Sequence, residues 1–104
     1  MTPQERADSV MQHVSEQFGV RPSDIEGRGR LGRVADARHA ASYVLWYVYR
    51  WRYKDIGFYT GDRHHTTITN SIKVAKAMIQ QDPDFKSRID AVIAISENGR
   101  VGNG

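Results

Sequence analysis

The sequence contains no cysteine, which excludes disulfides, thiolate metal sites and cysteine nucleophiles together and leaves the redox compartment unmarked. It has no apolar run approaching the ~20 residues that a membrane helix needs. The start, Met1-Thr2-Pro3-Gln4-Glu5, lacks a basic segment followed by an apolar stretch. We therefore expect a cytoplasmic protein that makes no use of a membrane. No G-x-x-x-x-G-K-[ST] phosphate loop and no HExxH spacing occurs. His64 and His65 are adjacent, so they point in different directions along a helix and make a poor metal pair with Asp62 or His13. Neither paired carboxylates nor a nucleophile with a base at hand can be picked out. The expectation is a protein without cofactor or metal, and not an enzyme.

What is present is one domain's worth of ordinary soluble sequence: 104 residues, 39% apolar, 26% charged, with a net charge of +3. The positive charge is clustered. Arg28, Arg30, Arg33 and Arg38 crowd one stretch, and Arg50, Arg52, Lys54 and Arg63 follow, with few acids between Gly27 and Asp55. Such clustering favours an anionic partner.

Hydrophobic spacing predicts helices throughout. Thr2 with Glu5 makes a capping box around Pro3, and Ala7, Val10, Met11, Val14 and Phe18 form one stripe, giving a helix over about 3–18 that Gly19 stops. A short helical turn is expected near Val20–Ile25, then a basic, glycine-rich loop over 27–32. Val34, Ala37, Ala41, Val44, Leu45 and Val48 predict a long helix over about 33–51, running into the aromatic cluster Trp46, Tyr47, Tyr49, Trp51, Tyr53. Aromatics at helical spacing favour core, although stacking on single-stranded bases is the other use of such a cluster. Tyr53–Tyr59 reads as a two-turn helix closed by Thr60-Gly61. Asp62 is the expected cap of the next helix, whose buried face is Ile68, Ile72, Ala75 and Ile79. Asp82-Pro83 opens a last helix carrying Phe85, Ile89, Val92 and Ile93. Residues 1–96 thus form the domain and 97–104 a flexible tail. The fold class is all-α, a compact bundle of about five to six helices.

A short helix, a glycine turn and a second helix with a polar, basic first turn outline a helix-turn-helix. The string Asp55-Ile56-Gly57-Phe58-Tyr59-Thr60-Gly61-Asp62-Arg63-His64-His65-Thr66-Thr67-Ile68 resembles, without a gap, the signature E-I-G-x-x-F-G-G-R-D-H-T-T-V of the C-terminal DNA-binding domain of bacterial DnaA replication initiators, a Trp-repressor-like helix-turn-helix. Phe18-Gly19-Val20 with Asp24-Ile25, Arg33-Val34-Ala35 with Ala37-Arg38-His39-Ala40-Ala41, Ile72-Lys73 and Asp82-Pro83 extend the similarity over about Ala7–Ser96. The resemblance implies sequence-specific binding of double-stranded DNA. It also implies that Arg30 is the minor-groove arginine, with Arg28 and Arg33 in support, and that Arg38 with His39 matches the family's Arg-Gln pair on backbone or bases.

The chemistry fits that implication. Threonine methyls pack on thymine, threonine hydroxyls and imidazole bond base edges, a helix N-terminus favours phosphate, and an arginine loop suits the backbone or the narrow minor groove. The candidate DNA-binding residues are Arg28, Arg30, Arg33, Arg38, His39, Lys54, Arg63, His64, His65, Thr66 and Thr67. Three departures stand out: His64 replaces the family's aspartate acceptor, Asp62 its second glycine, and Lys54 the proline that often begins the short helix. Without a phosphate loop this chain can bind a site but not drive ATP-dependent melting of it. A replication-related or transcriptional regulator follows, with replication or regulatory proteins as further partners. The alternative is a protein-interaction adaptor that presents exposed Trp or Tyr residues on the same fold. A good cap already at Thr2 favours a naturally short protein over the alternative, an isolated domain of a longer chain.

Overall fold

The structure is a computed structural model that describes residues 1–29 and 32–102, with the side chains of 99–102 left aside. Among the described residues six helices follow one another: α1 Pro3–Phe18, α2 Pro22–Glu26, α3 Gly32–Tyr47, α4 Tyr53–Tyr59, α5 His65–Gln81 and α6 Pro83–Gly102. Among the described residues there is no strand.

The ends of α1 form as the sequence dictates. Glu5 N donates to Thr2 Oγ1 at 3.1 Å, and Thr2 N donates to Glu5 Oε1 at 3.0 Å. At the other end Gly19 adopts the left-handed conformation (φ 67°) and lets Val20 N reach back to the Ser15 carbonyl, a C-terminal stop that glycine favours. Asp82 caps α6 by accepting from Asp84 N and Phe85 N, with Pro83 in the first turn where its missing N–H costs nothing.

Helix α3 is the axis of the bundle and touches each of the other five helices. Its buried Ala37, Ala40 and Ala41 admit close neighbours, and Val44 and Leu45 fill the space beyond them. Around it close Met11 and Val14 of α1, Ile25 of α2, Ile56 of α4, Ile68 and Ile72 of α5, and Phe85 and Ile89 of α6. Phe18 and Phe85 meet with ring centroids 5.6 Å apart and join α1 to α6.

Two expectations need correction. The long helix ends at Tyr47 rather than near residue 51. Arg50 turns left-handed (φ 58°) and Trp51 N donates to the Leu45 carbonyl, so the chain folds back and sets Trp51 against Tyr59, centroids 5.6 Å apart. The last helix runs on to Gly102, past Glu97, where the sequence pattern places a tail. Ser96 is buried, and its carbonyl accepts from Tyr49 OH, which in turn accepts from Arg6 Nη1. That chain of bonds ties the late part of α6 to α1 and to the turn after α3.

Candidate nucleic-acid interface

Helices α4 and α5 and the turn between them form the helix-turn-helix. Ile56 and Ile68 are both buried and anchor the two helices to the core. Between them, Thr60 Oγ1 donates to the Ile56 carbonyl at 2.6 Å, and Arg63 N donates to the Gly57 carbonyl at 2.8 Å. Gly57 faces the Arg63 carbonyl so closely that a Cβ would collide with it. Gly61 is needed twice over: its φ is +113°, and a Cβ would stand 2.5 Å from the Glu26 carbonyl. Only glycine takes up such a conformation without steric cost.

The cap of α5 differs from expectation. Asp62 lies in the turn with φ 54°, two residues too early to cap, because the chain needs a second left-handed step after Gly61. His64 is the N-cap instead, and its Nδ1 accepts from Thr66 N at 3.2 Å and lies 2.8 Å from Thr66 Oγ1. An Nδ1 that accepts leaves the ring proton on Nε2. The His65 ring lies beside it, centroid to centroid 4.3 Å.

The exposed start of α5 thus presents His64, His65, Thr66 and Thr67 together, backed by buried Ile68, Ser71 and Ile72. Lys54, Phe58, Asp62, Arg63, His64 and His65 surround an open cavity of about 650 Å³, with Asp55 and Tyr59 also lining it. Arg28 is exposed on the α2–α3 loop, near enough to Arg63 to disfavour its charge. Arg30 lies outside the described residues.

Three of the other candidates have inward partners. Arg38 donates to the carbonyls of Asp24, Ile25, Gly27 and Gly29 at 2.8–2.9 Å. Arg63 donates to the carbonyls of Thr60 and Gly27. Burial, then the neighbouring Arg38 and Arg28, lower the Arg63 guanidinium to about 10. His39 Nδ1 lies 2.9 Å from Ser71 Oγ between α3 and α5, and burial pushes its pKa down against the pull of Asp36.

Arg33 stands apart from the cluster at the start of α5. It lines a cavity of about 270 Å³ with Asp36, Asp82, Asp84 and Arg88, beside the C-terminal end of α5. Helix α5 runs from His65 to Gln81. At the helical rise per residue its far end lies roughly 22 Å from Thr66.

Three further residues share this surface and are not among the sequence candidates. Asn70 and Lys73 are exposed one and two turns along α5 from Thr66. They share its face, and their i+4 and i+7 spacing is the signal that could have found them. Phe58 is 64% exposed at the rim of the larger cavity. Of the aromatic cluster, Trp46 is half-buried with Lys76 Nζ 4.4 Å from its ring centroid, and Tyr47 is exposed and stacked on Tyr43. Among the described residues no group of three His, Cys, Asp or Glu could hold a metal, and no helix is long and apolar enough to cross a membrane.

The family profile described as bacterial dnaA protein helix-turn-helix matches residues 7–74. The chain belongs to the bacterial DnaA helix-turn-helix family. The matched stretch takes in most of α1, all of α2 to α4 and the first part of α5, including every residue around the larger cavity. Among curated relatives, the chromosomal replication initiator protein DnaA of Mycoplasma capricolum is 30% identical over 81 residues, covering 78% of this chain and 18% of that protein. The DnaA of Aliarcobacter butzleri is 31% identical over 81 residues, again 78% of this chain and 18% of the relative. The chain therefore spans about a fifth of the length of these DnaA relatives. A crystal structure of a DNA replication initiation factor superposes with a TM-score of 0.78 at 19% identity, over 90% of this chain and 29% of that one. That superposition shows a shared fold for residues well beyond the profile match.

Proposed function

We propose that this chain is a sequence-specific binder of double-stranded DNA that acts in replication or its regulation, with the start of α5 in the major groove and the α2–α3 loop on the minor groove or backbone. The observation that carries the reading is the set His64, His65, Thr66 and Thr67, exposed together at the N-terminus of a helix whose opposite face is locked into the core. That is the geometry in which a recognition helix presents its first residues to base edges. Thr66 and Thr67 supply methyl and hydroxyl groups for thymine methyls and base edges, and the helix N-terminus adds its partial positive charge. With Nδ1 engaged by its own helix, His64 offers Nε2–H as a donor, where the family's aspartate offers only an acceptor. A donor there suits guanine O6 or N7, adenine N7 or thymine O4 in place of cytosine N4. Lys54 and Arg28 serve as phosphate or minor-groove cations on either side. The binding domain takes in residues 1–96, and α6 continues from it to Gly102.

Selection of bound sites from random duplex DNA tests this reading. We expect one enriched sequence whose binding weakens steeply with salt, because several phosphate contacts release counterions. Enrichment of no sequence, with binding insensitive to salt, contradicts it. That result, together with capture of a protein partner lost on substitution of exposed Tyr47 or Phe58, favours the adaptor reading instead.

A further inference from the structure

Two arginines that look like phosphate contacts in the sequence converge on one backbone carbonyl. Arg38 Nη2 donates to the Gly27 carbonyl at 2.8 Å, and Arg63 Nη2 donates to the same oxygen from the helix-turn-helix side. Arg38 also holds the carbonyls of Asp24 and Ile25 in the last turn of α2, and that of Gly29 in the loop beyond. Carbonyls at the end of a helix lack partners within it and need outside donors. Arg63 simultaneously holds the carbonyl of Thr60 in its own turn. The joint leaves no slack on its other side, where Gly61 lies against the Glu26 carbonyl with no space for a Cβ.

We propose that Arg38 and Arg63 are positioning residues that lock the Arg28-bearing start of the α2–α3 loop, residues 27–29, to the turn that starts α5, so that the Arg28 contact and the base contacts to DNA are made as one rigid unit. The proposal rests on the DNA-binding reading above and deepens it. The chemistry requires arginine, because only a planar fork of five donors reaches several carbonyls at fixed angles. A lysine keeps the charge but offers a single flexible donor point. Arg28 projects from the loop one residue past the shared carbonyl, and His64 follows Arg63 directly. A shift at the joint therefore moves a loop cation and the cap of α5 relative to each other.

A thermodynamic cycle tests the proposal with two probes, the duplex recovered by selection with the wild-type chain and a scrambled duplex of equal length. Arg28→Ala, Arg63→Lys and the double variant are compared well below their melting temperatures. In the wild-type background Arg28→Ala is expected to weaken binding to the selected duplex about tenfold. In the Arg63→Lys background it is expected to weaken it less than about twofold, because the loop is no longer held at the groove. Arg63→Lys alone should lower the ratio of selected to scrambled affinity.

Additive effects overturn the proposal, since a lysine that still meets a phosphate, or a residue that merely stabilises the fold, leaves the Arg28 contribution intact. An Arg28→Ala change without effect in the wild type overturns it as well. If Arg63→Lys does not melt cooperatively, Arg38→Lys carries the same cycle with the same two readings. A wild-type chain that prefers no duplex shows instead that the DNA-binding reading itself fails.

Discussion

Gly57 has no room for a side chain, because the Arg63 carbonyl occupies the place its Cβ would take. Gly57→Ala should therefore force α4 from the turn and cost about 1–3 kcal/mol, read from the denaturant midpoint. Gly32→Ala, where nothing lies within 4 Å of the added atom, should cost nothing measurable. An equal loss in both variants would contradict this account of the turn. His39 makes a different residue-scale prediction. Burial lowers its pKa below the ordinary 6.5, so the unfolded chain takes up that proton first as the pH falls. Between the ordinary value and the lowered folded one the unfolded state binds more protons, and stability falls with pH. The melting temperature should thus drop below about pH 6.5, and His39→Gln should remove the part of the drop that belongs to this ring. An unchanged profile in the variant would show that His39 is not buried as described. The sequence offers no hint of these inward roles. Arg38, His39 and Arg63 show only charge or polarity there, whereas their partners are backbone carbonyls and a serine brought close by folding.

At the scale of elements, helix boundaries with strong local signals are readable. The capping box at Thr2 and the glycine at residue 19 bound α1, and Asp82-Pro83 marks the start of α6 without tertiary help. The end of α3 is not readable, because apolar and aromatic residues continue past Tyr47 while the stop is a left-handed Arg50, a conformation that arginine does not advertise. The cap of α5 is hidden in the same way: Asp62 is the better capping residue by type, yet the geometry of the turn hands the role to His64. The facing of α5 itself follows from Ile68, Ile72 and Ala75. Ile68→Asp places an unpaired carboxylate in a site only 1% exposed. It should cost several kcal/mol, enough to abolish the cooperative melt of a domain this small. A melt near the wild-type temperature would mean that α5 faces otherwise. His64→Asp restores an acceptor at the start of α5 and keeps a cap, so the fold should hold while the selected site moves toward cytosine at one position. An identical selected site would show that His64 faces away from the bases.

For the molecule as a whole, net charge is a weaker guide than where the charges come to lie. Of the arginines between 28 and 38, Arg28 is exposed beside the helix-turn-helix, Arg33 sits among carboxylates at the far end of α5, and Arg38 is turned onto the backbone. The polar start of α5 is legible because its residue types form a contiguous string. Asn70 and Lys73 escape notice because their face is spread over two turns and shows in the sequence only as i+4 and i+7 spacing from Thr66. The central claim is that this start of α5 reads bases while cations around it hold the backbone. Equilibrium binding of the wild-type chain and His65→Ala to the selected and the scrambled duplex, across a salt series, tests it most directly. We predict that His65→Ala melts like the wild type, binds the scrambled duplex with an unchanged salt slope, and loses roughly 1–3 kcal/mol of preference for the selected one. Equal weakening on both duplexes, or no weakening on either, would contradict it.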